Sequence, residues 1–406
     1  MATKHGLRMA VCGVLLAAVW LGPAAPAAAA DDPLWLRKPF SGFAMSVATD
    51  REEHVLVAGA ANTALPVPNT TDAFAAKYDA TGRLLWKRQY AGPKSERANA
   101  IATDAAGSFY LTGTIIGRYA GPDQIWLAKY DGDGALQWSQ QFGTNRPESA
   151  GAIATDSRGS VYIGGWTEGA LAGVKRNRDA WIARYDANGN RQWIRQFGTW
   201  SFEQVTGLAT DADGNLYISG YTGGAFAGPN AGQSDAWVAK YTAAGDPVWQ
   251  KQFGTPWHDV AEDVAVDASG NVYLCGFTGG PLAGPRQGLR DVWVAKYTGT
   301  GALLWKRQFG TTADEQAYDV TTDAAGDVYL TGYTRGVLAG PGYGSFDVWV
   351  AKYDGAGTAL WLRQFGTAFL DEAYGVAADG AGGVYVAGAL GSATTSSALV
   401  AKLTAD

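Results

Sequence analysis

The stretch WKRQFGTTADEQAYDVTTDAAGDVYLTGYTRGVLAGPGYGSFDVWVAKY, residues 305–353, decides the fold. Its pattern recurs along the chain: a lead tryptophan, Gln-Phe-Gly or a variant, a Val-Tyr-Leu-x-Gly segment, and Asp-x-Trp-Val-Ala-Lys-Tyr. Successive lead tryptophans are 51, 52, 55, 56, 56 and 56 residues apart. A period this regular and this long indicates a ring of similar β units. The seven lead residues are Trp35, Trp86, Trp138, Trp193, Trp249, Trp305 and Trp361.

Within one repeat, polar and apolar residues alternate with the period of two that is typical of β-strands. Strands are predicted at Ala317–Asp323, Asp327–Thr331, Asp347–Tyr353 and Leu360–Phe365, with Gly- and Asp-containing turns between them. Aromatic and β-branched residues are frequent in these segments, as they are in strands generally. Four short strands in each of seven repeats predict an all-β, seven-bladed β-propeller with four-stranded antiparallel blades.

The two ends of the repeat series predict how the ring closes. The first copy opens on its tryptophan strand, at Leu34–Phe40, and the last copy stops after its third strand, at Ala398–Leu403. If the tryptophan strand is the outermost of a blade, the N-terminal strand supplies the one that the last blade lacks. Pairing the two would remove sheet edges that otherwise promote aggregation.

Residues 1–30 have a different composition. Lys4 and Arg8 form a basic head, residues 9–21 are apolar, and a run of small residues ends at Ala30. This is the composition of a signal peptide and is too short for a lasting membrane span. We therefore expect cleavage near Ala30, before Asp31, a single propeller domain at 31–406, no stable membrane span, and a secreted or periplasmic protein.

Charge and metal-ligand content exclude several classes of function. Removing residues 1–30 takes away two cations and no anion, so the formal net charge falls from −6 to −8. A dispersed acidic charge does not favour binding to a nucleic-acid backbone. Without residues 1–30 the chain holds one cysteine, Cys275, and two histidines, His54 and His258, so no disulfide framework or zinc site is predicted. No metal and no cofactor are expected.

The repeat carries a resemblance to a known family. Tyr-Asp-x-x-Gly-x-x-x-Trp-x-x-Gln-Phe-Gly-Thr, with Asp-x-x-Gly-x-Val-Tyr-x-x-Gly-x-Thr and Asp-x-Trp-Val-Ala-Lys-Tyr, resembles the bacterial seven-bladed β-propeller repeat family, from about Trp35 to Leu403. The resemblance implies a propeller of an exported bacterial protein and offers no catalytic residues to transfer. Residues 79–86 are also similar to the tryptophan-docking repeat of quinoprotein dehydrogenases, in which such residues hold blades together.

The alternation of antiparallel strands places the long second-to-third and fourth-to-first loops on one face, where binding usually occurs on a rigid scaffold. An acid recurs in the fourth-to-first loops, one for each of six blades. We predict either an incomplete acidic ring at a channel mouth that binds a cation or sugar hydroxyls, or a structural clamp in which each carboxylate accepts backbone N–H bonds. The series is Glu96, Glu148, Glu203, Asp259, Glu315 and Asp371.

A second set of residues departs from the repeat. Aromatic side chains and one histidine occur on this face in a sector of consecutive blades, where sister copies carry small or polar residues. Flat rings confined to one sector suit a sugar or peptide ligand, although long loops also fold over their own aromatic residues. The predicted ligand-binding residues are Trp166, Trp200, Glu203, Tyr221, Trp257, His258, Asp259 and Phe277.

These patterns favour an exported, non-catalytic binding or scaffold propeller for a glycan, peptide or protein partner. No nucleophile-elbow motif and no Ser/His/Asp constellation are present in the sequence, and no catalytic residue is predicted. The alternative is a carbohydrate-active enzyme, a glycosidase or lyase, that uses two carboxylates of the same face.

Overall fold

The computed structural model describes residues 33–404 except 63–69, 91, 93, 118–120 and 381–382. The predicted signal peptide and its cleavage point lie outside the described residues. Within them the chain forms seven four-stranded antiparallel sheets, and no helix is present. The predicted seven-bladed β-propeller is confirmed.

Each blade is a meander whose first strand is innermost and whose tryptophan strand is outermost. Blade 1 contains β2 (Gly42–Thr49), β3 (Val55–Asn62), β4 (Thr71–Tyr78) and β5 (Leu84–Tyr90). Blade 2 contains β6 (Ser95–Thr103), β7 (Phe109–Ile116), β8 (Gln124–Tyr130) and β9 (Leu136–Phe142). Blade 3 contains β10 (Glu148–Thr155), β11 (Val161–Thr167), β12 (Asp179–Tyr185) and β13 (Arg191–Phe197).

The remaining blades repeat this order, and the last one borrows its outer strand. Blade 4 contains β14 (Glu203–Thr210), β15 (Leu216–Thr222), β16 (Asp235–Tyr241) and β17 (Pro247–Phe253). Blade 5 contains β18 (Asp259–Val266), β19 (Val272–Thr278), β20 (Asp291–Tyr297) and β21 (Leu303–Phe309). Blade 6 contains β22 (Glu315–Thr322), β23 (Val328–Thr334), β24 (Asp347–Tyr353) and β25 (Ala359–Phe365). Blade 7 contains β26 (Asp371–Ala378), β27 (Val384–Gly391), β28 (Ser396–Leu403) and, from the N-terminal end, β1 (Trp35–Arg37).

The ring closes as predicted. Strand β1 pairs antiparallel with β28, with Trp35 opposite Lys402 and Arg37 opposite Val400. The indole Nε1 of Trp35 then donates to the carbonyl of Ala80 in blade 1, at 3.3 Å. Other lead tryptophans make the same bond to the next blade, for example Trp193 to the Ala243 carbonyl at 3.0 Å. Each outer strand therefore fastens its blade to the following one.

The tight turns explain the Asp-x-x-Gly-x-Val-Tyr part of the repeat. The Asp323 carboxylate accepts from the amides of Ala325 and Asp327, both at 2.9 Å. Gly326 has a φ of +83°, the left-handed conformation that glycine adopts at low cost. The Tyr329 hydroxyl donates to the second oxygen of Asp323 at 3.0 Å, so one aspartate fixes both the turn and the following strand.

The Gln-Phe-Gly motif fastens the long loops of the opposite face. In blade 4, Gln252 Nε2 donates to the buried Asp235 carboxylate at 2.8 Å and to the Gly224 carbonyl at 2.9 Å. Its Oε1 accepts from the amides of Phe226 and Ala227 at 2.8 and 2.9 Å. The loop between β15 and β16 is therefore held to the outer strand, which makes this face a rigid support for a site.

The core consists of packed interfaces between neighbouring blades. The third-strand tryptophans Trp181, Trp237, Trp293 and Trp349 are at most 1% exposed and belong to these clusters. Large buried aromatic side chains contribute most of the apolar burial in such interfaces. These tryptophans are packing residues that recur at one position in four consecutive blades, blades 3 to 6.

A cavity of about 640 Å³ lies on the ring axis, lined by the inner strands of all seven blades. Each inner strand contains a β-bulge, where one extra residue interrupts the pairing with the second strand. All seven extra residues line this cavity: Met45, Asn99, Gly151, Thr206, Glu262, Tyr318 and Tyr374. We call this cavity the axial channel.

Candidate functional site

The predicted acidic series lies at the start of the inner strands. Glu203 is fully buried, and its carboxylate accepts from the Thr199 amide at 2.7 Å, the Thr199 hydroxyl at 2.6 Å and the Thr222 hydroxyl at 2.7 Å. The half-buried Glu96 accepts from the Gly92 amide at 3.2 Å. Four further members are fully buried and bonded to the threonine four residues earlier: Glu148, Asp259, Glu315 and Asp371.

This geometry is that of the structural clamp. Three donors occupy each of the five buried carboxylates, so these groups join the fourth-to-first loop to the inner strand and to the end of the second strand. Among the described residues, no group of three or more Asp, Glu, His or Cys side chains is placed to hold a metal ion. Glu203 and Asp259 are fully buried, and neither lines the pocket described next.

A pocket of about 670 Å³ opens over blades 4 and 5. Four of the predicted binding residues line it: Tyr221, Trp257, His258 and Phe277. Tyr221 lies in β15, the second strand of blade 4, and Phe277 lies in β19, the second strand of blade 5. Trp257 and His258 lie in the loop between β17 and β18, and the propeller places these three elements side by side. Part of the sector predicted from the sequence therefore forms one concave site.

The aromatic residues of the pocket present rings with different degrees of exposure. Trp257 is 41% exposed, whereas Phe277 is 9% exposed and forms part of the wall. The Tyr221 ring lies 6.0 Å from the ring of Phe202, edge to face, and its hydroxyl donates to Gln204 Oε1 at 3.1 Å. These contacts hold the wall in place and leave the indole of Trp257 available for stacking.

Two other predicted residues lie outside this pocket. Trp200 is 79% exposed and does not line it. Trp166 is half-buried in blade 3, where the Arg178 guanidinium lies 4.1 Å from its ring centre. Arg178 does line the pocket, so Trp166 touches the site through that arginine.

Three arginines line the pocket, and sequence reasoning missed all of them. Arg178 has Nη2 3.4 Å from Glu168, and Arg290 forms a two-pronged ion pair with Asp314, both contacts being 2.6 Å. The guanidinium of Arg286 lies 5.7 Å from the Trp257 ring centre. Arg286 bonds to the carbonyls of Gly288 and Leu289, and no described carboxylate lies within ion-pair distance of it.

Glu262 lines both the pocket and the axial channel, so it stands where the two cavities meet. It is the extra residue of the bulge in β18. Burial raises the pKa of Glu262 to about 7, an effect that the Arg290 guanidinium partly opposes. This acid was not predicted from the sequence either, because a β-bulge carries no distinct sequence signature of its own.

The remaining polar contacts complete the pocket. His258 is exposed, and its Nδ1 lies 2.9 Å from the Ser234 hydroxyl. Leu289 and Val260 add apolar surface, while Gln233 is the pocket's single amide side chain. The site therefore combines guanidinium groups, flat rings and apolar surface, with one carboxylate at the channel.

Comparison with known proteins supports the repeat. Residues 137–171 match the family model SBBP, a beta-propeller repeat, which confirms that the repeated pattern is that of a β-propeller. The chain is 28% identical over 188 residues to "Regulatory protein FlaEY" of Caulobacter vibrioides, covering 42% of this chain and 19% of that protein. It is 21% identical over 248 residues to "Uncharacterized WD repeat-containing protein L264" of Acanthamoeba polyphaga mimivirus, covering 47% of this chain and 18% of that protein. The matched regions span about a fifth of the length of these relatives.

Solved structures share the fold at low sequence identity. The WD40 domain of Neurospora crassa Pan2 superposes with a TM-score of 0.54 and 10% identity, covering 91% of this chain and 95% of that one. The structure "YCF48 bound to D1 peptide" superposes with a TM-score of 0.52 and 10% identity, covering 94% of this chain and 98% of that one. These similarities establish the propeller architecture.

Proposed function

We propose that this protein is an exported, non-catalytic binding module whose pocket over blades 4 and 5 receives an acidic peptide segment of a partner protein. The observation that carries the proposal is Arg286. Its guanidinium lies over the exposed Trp257 ring and has backbone carbonyls as its hydrogen-bond acceptors. The planar fork of arginine binds carboxylates in a bidentate manner, so a carboxylate of the ligand is the natural partner.

The other two pocket arginines strengthen the choice of an anionic ligand. Arg290 is neutralised by Asp314 at 2.6 Å, and Arg178 is only loosely paired with Glu168 at 3.4 Å. The pocket therefore presents more positive than negative charge to a ligand, although the chain as a whole carries a net charge of −6. A local positive patch on an acidic protein selects acidic ligands and increases their rate of association.

The lining favours a peptide over a glycan. Sugar hydroxyls need many polar partners, whereas this wall contains Phe202, Phe277, Val260 and Leu289 with few amide or carboxylate groups. Apolar side chains of a peptide would pack on these residues, and the exposed ring of Trp257 would stack against one of them. The propeller YCF48, which is similar in fold, is bound to a peptide in its structure.

The enzymatic alternative has no comparable support. It needs two available carboxylates on this face, whereas Glu203 and Asp259 are fully buried with their oxygens occupied by threonine donors.

The part of the chain that the structure describes holds no candidate transmembrane helix. The basic head, apolar stretch and small-residue run of residues 1–30 support export.

The test is calorimetric titration of residues 31–406 with the peptide Glu-Phe-Glu-Phe, amidated at its C-terminus. Lys-Phe-Lys-Phe-amide and an oligogalacturonate serve as the cationic and glycan comparisons. We expect the acidic peptide to bind best and Arg286→Ala to weaken it about tenfold or more, because hydrogen bonds to charged groups contribute about 1.5–3 kcal/mol.

Arg335→Ala is the matched control. Arg335 stacks 4.7 Å from the Phe346 ring centre in the corresponding loop of blade 6, outside the pocket. It should leave the affinity unchanged. Preferential binding of the oligogalacturonate would make the ligand an acidic glycan, and equal affinity of wild type and Arg286→Ala for every probe would refute the proposed site.

A further inference from the structure

Glu262 differs from every other residue at its position in the repeat. The corresponding bulge residues of the neighbouring blades are Thr206 and Tyr318, and those of the remaining blades are Met45, Asn99, Gly151 and Tyr374. A residue that holds blades together should recur in each blade, as the buried threonine-bound acids do. A single acid at the junction of two cavities instead suits a specific ligand.

The surroundings of Glu262 leave its carboxylate available. No described side chain or amide donates a hydrogen bond to it, and it is half-buried rather than sealed. Tyr221 lines the pocket together with Glu262, and Tyr318 lines the axial channel together with it. The nearby Arg290 is already held by Asp314 and by the Tyr333 hydroxyl, at 3.1 Å for the latter.

We infer that Glu262 receives a primary ammonium group of the bound peptide at the inner end of the pocket, while Arg286 holds a carboxylate of the same peptide at the outer end. This inference rests on the proposed function. An ammonium group offers three hydrogen-bond donors to a carboxylate, and the half-buried Glu262 carboxylate has no described donor of its own. The group is either the free N-terminal amine or a lysine side chain, which share this chemistry.

The experiment compares three peptides on the folded protein. The first is Glu-Phe-Glu-Phe-amide with a free N-terminus, the second is its N-acetyl form, and the third is N-acetyl-Lys-Glu-Phe-Glu-Phe-amide. We expect acetylation to weaken binding by wild-type protein roughly tenfold, because it removes a charge-assisted hydrogen bond. Recovery of affinity by the third peptide identifies a lysine as an acceptable source of the ammonium group, and no recovery identifies the N-terminus.

Glu262→Gln should abolish the difference between the free and acetylated peptides, so their affinities become equal. Glu372→Gln is the matched control, because Glu372 lies in the equivalent strand of blade 7 and already accepts a hydrogen bond from the Tyr374 hydroxyl. It should keep the wild-type ratio. Thermal unfolding of each variant establishes that it is folded.

Failure of the inference and failure of the proposed function are distinguishable. If all three peptides bind equally well to wild type and to Glu262→Gln, and Arg286→Ala still weakens them, the acidic-peptide site stands and the ammonium site is wrong. A wild-type preference for the free amine that persists in Glu262→Gln also refutes the inference. If no peptide binds the wild-type protein, the proposed function itself is wrong.

Discussion

Replacing Trp35 with alanine removes the side chain that joins the last blade to the first. Trp35 is 9% exposed, its ring lies 6.1 Å from Tyr78 and 5.9 Å from Tyr385, and its indole bonds to blade 1. A buried aromatic residue of this size removes about 150–250 Å² from water, worth at most roughly 4–6 kcal/mol. Truncation of a packed tryptophan usually costs about 3–5 kcal/mol, and we expect a loss of that size in the free energy of unfolding.

The matched control is Trp193→Ala, which removes the same kind of contact between blades 3 and 4, away from the closure of the ring. Strand β13, which carries Trp193, is the second arm of a hairpin with β12 and stays next to its partner. Strand β1 is held to β28 by three residue pairs and has no short hairpin connection to it. Loss of Trp35 should therefore free β1 and expose the edge of β28, whereas loss of Trp193 should not.

Denaturant unfolding measures the loss of stability, and light scattering under native conditions measures association through the exposed edge. We expect both variants to be destabilised and only Trp35→Ala to scatter more light than wild type. Deleting residues 31–40 should have the stronger form of the same effect. Unfolding of Trp35→Ala at the wild-type denaturant concentration, with no increase in scattering, would refute the closure argument.

Three further predictions concern buried acids and processing. Burial and, to a smaller extent, the neighbouring Asp319 raise the pKa of Asp263 in the folded protein well above its ordinary value. The protonated form of Asp263 therefore stabilises the fold fully at pH values below the unfolded-state pKa, and this stabilisation is lost as pH rises through the folded-state pKa. Asp263→Asn should remove this pH dependence, which is at most about 1.4 kcal/mol per pH unit. In denaturant unfolding, the stability of the variant relative to wild type should therefore increase towards high pH. Parallel pH profiles of the two proteins would contradict this prediction. Glu203→Ala should lower the free energy of unfolding by about 1–3 kcal/mol in the same assay, because the Thr199 and Thr222 donors stay buried without their acceptor. Glu203→Gln should recover part of this loss. Wild-type stability of Glu203→Ala would contradict the structural clamp. Mass spectrometry of the exported protein should find its N-terminus at Asp31, and an unprocessed chain would contradict the proposed signal peptide.

The sequence predicts the fold well because one pattern is repeated seven times. Alternation, turn residues and complementary ends give the strands, and even the β1 pairing with β28 follows from them. The clamp was one of the two alternatives predicted for the acidic series, and the threonine that stands four residues before the acid in five repeats, as at Thr199 and Glu203, is the sequence signal that favours it.

The site was predicted only in part, for physical reasons. Tyr221 and Phe277 lie at strand ends, where the repeat fixes their position, and both line the pocket. Arg178 and Arg286 lie in long loops whose paths the local sequence does not specify, so their convergence could not be predicted. Glu262 depends on a bulge, which shifts the side-chain alternation by one residue and carries no distinct signature of its own.

The most direct test of the acidic-peptide site is a charge reversal at Arg286. The quantity measured is the ratio of the affinities for Glu-Phe-Glu-Phe-amide and Lys-Phe-Lys-Phe-amide in wild type, Arg286→Glu and Arg335→Glu. We predict that wild type and Arg335→Glu prefer the acidic peptide, and that Arg286→Glu prefers the basic one. A folded Arg286→Glu variant that keeps the wild-type ratio would contradict the proposal that this pocket binds acidic peptides through Arg286.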